Sequence, residues 1–562
     1  MAALSRRQSK QQRQGCKIGT LYVLLFALAI IFVGSSSVVV LIDLLKVQNS
    51  ANRSGHPNLP DAESRSSSKN DAGTSTRTIS KQKHEMKAAT SFQTPPPPIL
   101  SDDAIAMCTR TLYHTLATTT IVLPHAETFV FTGDIDDLWL RDSAAQVHPY
   151  MVPLDAAVPR SSRLSHDPVL DRVVAGLIAR HALYIHHDPY ANAFRIDDTY
   201  VFSAAQKRMG RHDLISTWNY ELDSGCYTIR MLYYYWKQTS VKEADTVLAT
   251  NPAVKRAVGI MLTLWKAEQR HEDDAIAPGL DCVNCGRPYR YPGLPRTGKG
   301  SETNPNAGLT WSGFRASDDQ QQYGYLVPAN MMCVTVLGYV EELARDLWDD
   351  VHMVQQAAEL KAEIQRGIEE HAVVHHPKYG PIYAYEVDGL GNHLLMDDAN
   401  VPSLLSLPYL EYPFLNETIY SNTRRFLLSP DNPTFSSGKN ALTGPIAGIG
   451  SPHMQQRIRN NVWPMALAIE ALTDPNGTQA AHLAEQLVRA TAGTGWMHES
   501  ISVSNPKQYT RAWFCWADAL YAELVLRVLR DGGGDAAHCW DHPYTIKEWR
   551  DTEQTMQSLQ TA

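Results

Sequence analysis

The sequence predicts a mainly helical protein, and three observations lead to that fold class. Apolar residues recur every three or four positions along seven long segments, which is the period of a helix with one buried face. Strand-like alternation is sparse. Polar and acidic clusters stand just before helical segments. If those helix starts meet on one face, they form an acidic cleft at the end of a helical barrel.

The predicted helices follow this periodicity in chain order: 169–187, 253–268, 326–347, 353–372, 464–472, 480–492 and 512–529. One β-hairpin is predicted over 380–394, where an alternating run meets the turn dipeptide Asp388–Gly389. The polar clusters lie at 132–143, 221–225, 311–319 and 397–400. A single Asp, Ser or Asn before a helix is an ordinary cap, but runs that combine carboxylates, Arg and Trp exceed what capping needs.

Length and composition indicate a soluble-type core of ordinary globular character. The chain has 562 residues, of which 44% are hydrophobic and 20% charged, so it can bury one large domain or two ordinary ones. The net charge of −8 is spread along the chain and no basic stripe occurs, which argues against a nucleic-acid partner. Tyr and Trp outnumber Phe, and such rings suit a wet cleft that stacks on sugars.

The first hundred residues predict a membrane anchor. Residues 18–42 carry no charge, and 25 residues at about 1.5 Å each can cross a hydrocarbon core of about 30 Å. Five basic residues precede the run, so residues 1–17 are expected in the cytosol and the rest in the lumen of the Golgi or ER. A cleaved signal peptide is the alternative, but its apolar region is shorter and no small-x-small site follows.

The remaining organisation follows from composition. Residues 43–98 are expected to form a disordered Ser/Pro-rich stem, 99–550 the globular domain and 551–562 a tail. Glycosylation sequons at Asn52, Asn416 and Asn476 fit a lumenal glycoprotein. Seven cysteines follow the apolar run. Cys282 and Cys285 have the spacing of a metal clip, but there is no second CxxC, so a disulfide involving this loop is expected and no metal.

The acidic clusters point to glycosidic chemistry. Cleaving a glycosidic bond needs one carboxyl group to protonate the departing oxygen and another to activate water or attack. The candidate carboxylates are Asp134, Asp136, Asp137, Asp142, Asp197, Asp198, Asp223, Asp318, Asp319, Asp397, Asp398 and Glu499. Each alone is a possible cap or surface charge. The Trp and Arg residues that accompany them favour a cleft.

Other residues are candidates for holding the sugar. Arg141–Asp142 and Arg195 with Asp197 offer donors and acceptors that match vicinal hydroxyls, and local ion pairs are the alternative reading. His453 follows a glycine-rich stretch and is a further possible contact. Serine-hydrolase, zinc-protease and EF-hand motifs do not occur. The P-loop spacing at 293–299 lacks the Ser or Thr that binds magnesium, so it is attributed to chance.

Four motifs in this order resemble the exo-α-1,6-mannosidases of glycoside hydrolase family 125: TGDIDDLWLRDSAAQVHPY at 132–150, FRIDDTY at 194–200, WSGFRASDD at 311–319 and GWMHESI at 495–501. The resemblance covers about 100–529, and the anchor and stem outside it look like those of fungal members. It implies an (α/α)6 barrel with long loops and minor hairpins. It also implies an inverting hydrolase, without metal or cofactor, that removes terminal α-1,6-mannose from a glycan.

The resemblance also assigns roles to residues. The general acid falls on Asp318 or Asp319, with Asp318 preferred, and the general base on Glu499. An inverting pair stands about 6.5–9.5 Å apart. Mannose would be held by Arg141, Asp142, Arg195, Asp197, Arg315 and His453. The alternatives are another sugar-active helical barrel, either a trehalase-like or glucoamylase-like hydrolase or a lyase, and a catalytically silent membrane-anchored lectin. Oligomeric state and natural glycan stay open.

Overall fold

The computed structural model describes residues 100–155, 157–158, 161–239, 248, 251–282, 284–532 and 534–540. The predicted cytosolic tail, membrane helix and stem lie outside the described residues, as does the C-terminal tail. None of the helices in the described part combines the length and the apolar character needed to cross a membrane.

Helices dominate the described part of the chain, as expected. Eleven of them have eight or more residues: α1 (Asp102–His114), α2 (Leu140–Val147), α3 (Pro168–His187), α4 (Leu222–Gln238), α5 (Pro252–Glu268), α6 (Val327–Asp346), α7 (Val351–His371), α8 (Glu417–Leu427), α9 (Pro464–Leu472), α10 (Ala480–Ala490) and α11 (Cys515–Asp531). Ala204–Arg208 and Pro295–Gly298 are single turns.

Local sequence explains where several helices begin. The Asp167 side chain accepts hydrogen bonds from the first amides of α3, and Pro168 supplies a pre-set φ at its first position. Asn251 and Pro252 do the same for α5. The seven predicted helices therefore fall within three residues of the observed bounds at either end.

The helices form two concentric layers. The inner layer consists of five helices that pack side by side in the order α9, α11, α2, α4 and α6. Outside them α10 packs on α1, and α3 on α5, which in turn packs on α7. The outer helices back the inner ones, with α1 on α11, α10 on α9, α7 on α6 and α3 on α4. Burial fits this order, because every residue of α2 is buried whereas α7 buries one face only.

A stretch of turns, 403–412, completes the inner layer where a sixth inner helix is expected. Tyr409 donates a hydrogen bond to Glu523 on α11, and Tyr339 on α6 donates to Glu411. These contacts bridge the gap in the ring. The two layers agree with the (α/α)6 barrel expected from the resemblance, with turns in place of one inner helix. The cluster 397–400 therefore leads into turns and not into a helix.

Short strands complete the structure: β1 (Thr120–Val122), β2 (Thr128–Val130), β3 (Leu138–Trp139), β4 (Ala193–Phe194), β5 (Ile215–Thr217), β6 (Tyr325–Leu326), β7 (Val373–His376), β8 (Gly380–Tyr383), β9 (Glu386–Val387), β10 (His393–Leu394), β11 (Phe435–Asn440), β12 (Gly444–Ile449), β13 (Asn461–Val462), β14 (Ser500–Ser502) and β15 (Tyr509–Thr510). They form antiparallel sheets β1–β2, β3–β4–β5, β6–β9–β10, β7–β8, β11–β12 and β13–β14–β15. β3, β6 and β13 run into α2, α6 and α9 within two residues, so the sheets gather at the amino ends of inner helices.

The hairpin predicted over 380–394 is divided between two sheets. β9 pairs with β10 across the Asp388 turn, where the Asp388 carboxylate accepts from the amides of Leu390 and Asn392. β8 instead pairs with β7, which precedes it. Alternation marked both strands correctly, but it carries no information about which neighbour a strand pairs with.

The cysteine loop contains the expected disulfide, Cys282–Cys285, and a second bridge joins Cys108 to Cys539. Cys226, Cys333 and Cys515 are reduced and buried. Because seven cysteines follow the apolar run, at least one of them has no intramolecular disulfide partner, and the structure has three such thiols among the described residues.

Candidate active site

A narrow cavity opens at the amino ends of the inner helices. Its lining residues come from five separate stretches of sequence: Thr132, Ile135, Trp139, Arg141, Asp142, Ala316, Ser317, Asp318, Asn400, His453, Trp463, Glu499, Arg511, Phe514 and Trp516. The inner helices bring these stretches together because each inner helix starts on the same side of the ring. We call this the central cavity.

Arg141 organises the acidic wall of the central cavity. α2 begins at Leu140, four residues earlier than the sequence indicates, so Arg141 and Asp142 lie in its first turn. The guanidinium nitrogens lie 2.5 Å from Glu221, 3.5 Å from Asp142, 3.6 Å from Asp318 and 3.7 Å from Asp223. Burial acts to lower the pKa of Arg141, but the four carboxylates outweigh burial and raise it above its usual value. Arg141 is therefore a permanent cation.

One arginine does not neutralise four carboxylates. Burial, partly offset by Arg141, raises the pKa of Asp142 to about 6 and that of Asp223 to about 6. Burial likewise raises the pKa of Glu221 well above its ordinary value. These three carboxyl groups consequently hold their protons to a higher pH than ordinary carboxyl groups do.

Several oxygens of the cluster have no hydrogen-bond partner within the described residues. They are Asp142 Oδ2, Glu221 Oε1 and both carboxylate oxygens of Asp223. Of these residues, only Asp142 lines the central cavity. Asp142 thus places a buried oxygen with unused acceptor capacity in the cavity wall, while Glu221 and Asp223 lie outside the lining.

Asp318 is held in place by three other segments. Its Oδ1 accepts from Asn192 Nδ2 at 2.7 Å, from Asn219 Nδ2 at 3.2 Å and from Trp139 Nε1 at 3.5 Å. Its backbone has φ +64°, a left-handed conformation that side-chain-bearing residues seldom adopt. Such strain persists only where surrounding contacts enforce it, and here they aim the carboxylate into the cavity.

Asp319 does not share this position. Its Oδ1 lies 3.0 Å from His453 Nδ1, and Asp319 is not a lining residue of the central cavity. The hydrogen bond to Asp319 raises the pKa of His453 in spite of its burial, and the charges of Asp318 and Glu499 add to the effect. Asp318 and Asp319, which the sequence leaves as alternatives for the general acid, therefore have different surroundings.

Glu499 is the other carboxylate of the cavity wall. It is 5% exposed, Oε1 lies 3.4 Å from Arg511 Nε, and Oε2 has no hydrogen-bond partner within the described residues. Arg511 also lies 3.2 Å from Asp134. A buried carboxylate that has one salt-bridged oxygen and one oxygen without a protein partner has the acceptor capacity that a general base needs.

The loop that carries Glu499 is tied to the barrel by a buried pair. Asp518 on α11 accepts from the Met497 amide at 2.9 Å and lies 2.7 Å from His114 Nδ1. The Trp496 ring stacks on His114 at 3.8 Å. These contacts fix the backbone two residues before Glu499.

Three predicted sugar-binding residues lie outside the lining of the central cavity. Arg315 is buried and its Nε lies 2.6 Å from Glu386 Oε1. The Arg195 guanidinium packs 4.0 Å from the Tyr200 ring centre. The exposed Asp197 carboxylate accepts from the amide and hydroxyl of Thr199, which is a local turn.

The structure also adds residues to the site that sequence reasoning missed. Asn192 and Asn219 hold Asp318, and Arg511 contacts Glu499. Neither asparagine stands in a charged cluster, and no local pattern singles out a loop asparagine. Arg511 follows β15 directly and does not belong to any of the motifs found in the sequence. Only the fold shows their proximity to the carboxylates.

Two groups of side chains within the described residues have the donor atoms and spacing of a metal site: His114, Cys515 and Asp518, and His187, His212 and Asp213. Neither group lines the central cavity. The polar side chains that line the cavity itself include carboxylates, arginines, hydroxyls, an asparagine and one histidine. This set is suited to proton transfer between two carboxyl groups and to binding hydroxyls.

Comparison with known proteins agrees with this chemistry. A family model described as "Metal-independent alpha-mannosidase (GH125)" matches residues 101–526. The "Meiotically up-regulated gene 157 protein" of Schizosaccharomyces pombe is 37% identical over 427 residues, which is 72% of this chain and 77% of that protein. A solved Streptococcus pneumoniae structure is 36% identical with a TM-score of 0.65, over 76% of this chain and 94% of that one. It is described as a metal-independent alpha mannosidase in a non-productive complex with alpha-1,6-mannobiose.

Proposed function

The chain belongs to glycoside hydrolase family 125, the metal-independent α-mannosidases, and we propose that it removes terminal α-1,6-linked mannose with inversion of configuration. The observation that carries the proposal is that Asp318 and Glu499 line one cavity while Asp319 does not. The relative of known structure, whose complex contains alpha-1,6-mannobiose, supports the linkage.

Asp318 is the proposed general acid. Its Oδ1 is occupied by Asn192 and Asn219, and Oδ2 faces Arg141 at 3.6 Å. Protonated Asp318 gives its proton to the glycosidic oxygen as the bond to the anomeric carbon breaks.

Glu499 is the proposed general base. Its open Oε2 takes a proton from a water molecule that attacks the anomeric carbon from the face opposite the leaving group. Arg511, whose Nε lies 3.4 Å from Oε1, orients the Glu499 carboxylate before that step. Attack on the opposite face converts an α-linked mannose into β-mannose.

Arg141 and Asp142 are the proposed contacts to the sugar hydroxyls, with the guanidinium donating and the open Asp142 oxygen accepting. Trp139, Trp463 and Trp516 supply the apolar surface for the ring face. His453, paired with Asp319, stands at the exposed side of the cavity.

The test is hydrolysis of α-1,2-, α-1,3- and α-1,6-mannobiose by the purified full chain, with NMR of the first-formed anomer. We expect α-1,6-mannobiose to be cleaved to β-mannose first, with no loss on adding a chelator. Glu499→Gln should lower kcat by about 10²–10⁴-fold, the usual contribution of a general base. Glu417→Gln, the same change at an exposed position on α8, is the matched control.

The outcomes separate the rival functions. Release of α-mannose first would exclude the inverting mechanism, and an unsaturated product would indicate a lyase. Cleavage of glucosides in preference to mannosides would favour a trehalase-like or glucoamylase-like activity. Binding of mannobiose without turnover by wild-type protein would identify a lectin.

We also propose that the enzyme is a type II membrane glycoprotein of the secretory pathway, anchored by residues 18–42. The uncharged run and its basic flank support this. Asn416 and Asn476 are both exposed in the structure, so their sequons are accessible. Protease treatment of sealed microsomes should spare the barrel, and Asn416→Gln with Asn476→Gln should abolish part of the endoglycosidase-sensitive mass. Digestion of the barrel in sealed microsomes would refute this topology.

A further inference from the structure

The protein has a second cavity, of about 770 Å³, whose lining residues take no part in the proposed reaction. The two cavities share no lining residue. We call it the basic cavity, and its walls are Asp198, Tyr200, Val201, Phe202, Lys207, Arg208, Gly210, His212, Asp213, Trp218, Asn284, Arg287, Pro288 and Arg290.

Positive charge dominates its walls, with four cations against two carboxylates. Arg290 forms an ion pair with Asp274. Lys207, Arg208 and Arg287 are exposed, and within the described ranges no carboxylate forms an ion pair with any of them. Unpaired cations around a concave surface attract an anion from solution.

Aromatic and apolar surface accompanies this charge. Tyr200 is 42% exposed and Val201 is 88% exposed, although both are large hydrophobic side chains. Trp218 is nearly buried in the cavity wall. The Arg195 guanidinium stacks on Tyr200 and stiffens the loop that carries it. Aromatic faces beside polar donors are a typical surface for sugar rings.

The wall of the basic cavity and the proposed general acid are connected through one stretch of the chain. Trp218 in its wall precedes Asn219, whose amide holds the Asp318 carboxylate. The Thr217 hydroxyl donates to Asn192, which holds the same carboxylate. The stretch 217–219 thus serves both the acid and the basic cavity. Because the general acid protonates the departing oxygen, the rest of the glycan extends past Asp318.

We infer that the basic cavity binds the departing part of the glycan and favours a glycan that carries an anionic group such as a phosphate. This inference rests on the proposed function, since it uses Asp318 as the acid. It also gives Arg195 and Asp197 a place, because their loop forms one wall of the basic cavity and not of the central cavity.

The experiment compares neutral α-1,6-mannobiose and α-1,6-mannotriose with their reducing-end 1-phosphates as substrates of the full chain. Exposed ion pairs are individually weak, so the three cations together should give the wild type about a tenfold higher kcat/KM for a phosphorylated substrate. This preference should shrink at about 1 M salt, because the Debye length is then about 3 Å and the attraction between the cations and the phosphate is screened.

The test variant is Lys207→Ala/Arg208→Ala/Arg287→Ala, which should lose the preference for the phosphorylated substrates. The control is Arg366→Ala/Lys439→Ala/Arg489→Ala, which removes the same charge from three exposed positions outside both cavities and should keep the preference. Circular dichroism checks that both fold.

Equal kcat/KM for neutral and phosphorylated substrates in the wild type would overturn the inference while leaving the proposed function intact. A preference that survives in the test variant, or that the control loses equally, would also overturn it. Failure of the folded wild type to cleave any of the four substrates would instead contradict the proposed function.

Discussion

Asp142→Asn should make the protein more stable and less active, with a pH dependence that follows from the buried cluster. Asp142 is fully buried, and burial raises its pKa from 3.8 to about 6 although Arg141 lies 3.5 Å away. Ionised Asp142 is therefore unfavourable in the folded state. Below pH 3.8 Asp142 is protonated in both states and does not lower the unfolding free energy of the wild type. Its destabilising effect grows as the pH rises from 3.8 to 6 and has reached its full size at pH 7.

The magnitude follows from the two pKa values. They differ by about 2, and each pH unit corresponds to about 1.36 kcal/mol, so the variant should gain up to about 3 kcal/mol in unfolding free energy at pH 7. At pH 4 the gain should be below about 1 kcal/mol. Loss of a charged acceptor to the sugar, worth about 1.5–3 kcal/mol, should lower kcat/KM by roughly 10- to 150-fold.

Urea denaturation of wild type and variant at pH 4 and pH 7 measures the first effect, and mannobiose hydrolysis measures the second. The comparison at pH 4 is an internal control for damage to packing. A variant that is less stable at pH 7, or a stability difference that is the same at both pH values, would refute this account of the cluster.

Further predictions concern the acid, the base loop and Arg315. Asp318→Asn should lower kcat on mannobiose by about 10²–10⁴-fold but much less on a dinitrophenyl mannoside, whose leaving group needs no proton, whereas Asp319→Asn should show no such difference between substrates. Equal responses of the two variants on both substrates would contradict the choice of Asp318. Asp518→Ala should lower kcat about tenfold with little change in KM, because the Glu499 loop loses its anchor to α11; a change confined to KM would argue against positioning. Arg315→Leu should lower the unfolding free energy by about 3–5 kcal/mol in urea titrations, because it leaves Glu386 buried without its cation. A fully stable Arg315→Leu with a raised KM would instead show that Arg315 binds the sugar.

The sequence by itself determined the class of fold and the chemistry. The apolar residues of each segment recur with the helical period, and caps such as Asp167–Pro168 act within one turn. The positions of the helices therefore follow from local residues. The runs around Asp318 and Glu499 likewise placed both residues among the candidate carboxylates, and the resemblance to the family selected them from that set.

Only the tertiary structure showed that neighbouring residues have different surroundings and brought distant residues into one cavity. Asp318 and Asp319 are adjacent in sequence, yet a left-handed backbone at Asp318 directs one carboxylate to Asn192 and Asn219 and the other to His453.

The same holds for the predicted sugar contacts. Arg141 and Arg315 have similar motifs, but Arg141 starts an inner helix that faces the cavity, and Arg315 turns into the protein toward Glu386. Side-chain direction and long-range partners depend on how distant segments pack, which the period and composition of one segment do not encode. For that reason the sequence supplied the candidate residues, and the barrel determined which of them line one cavity.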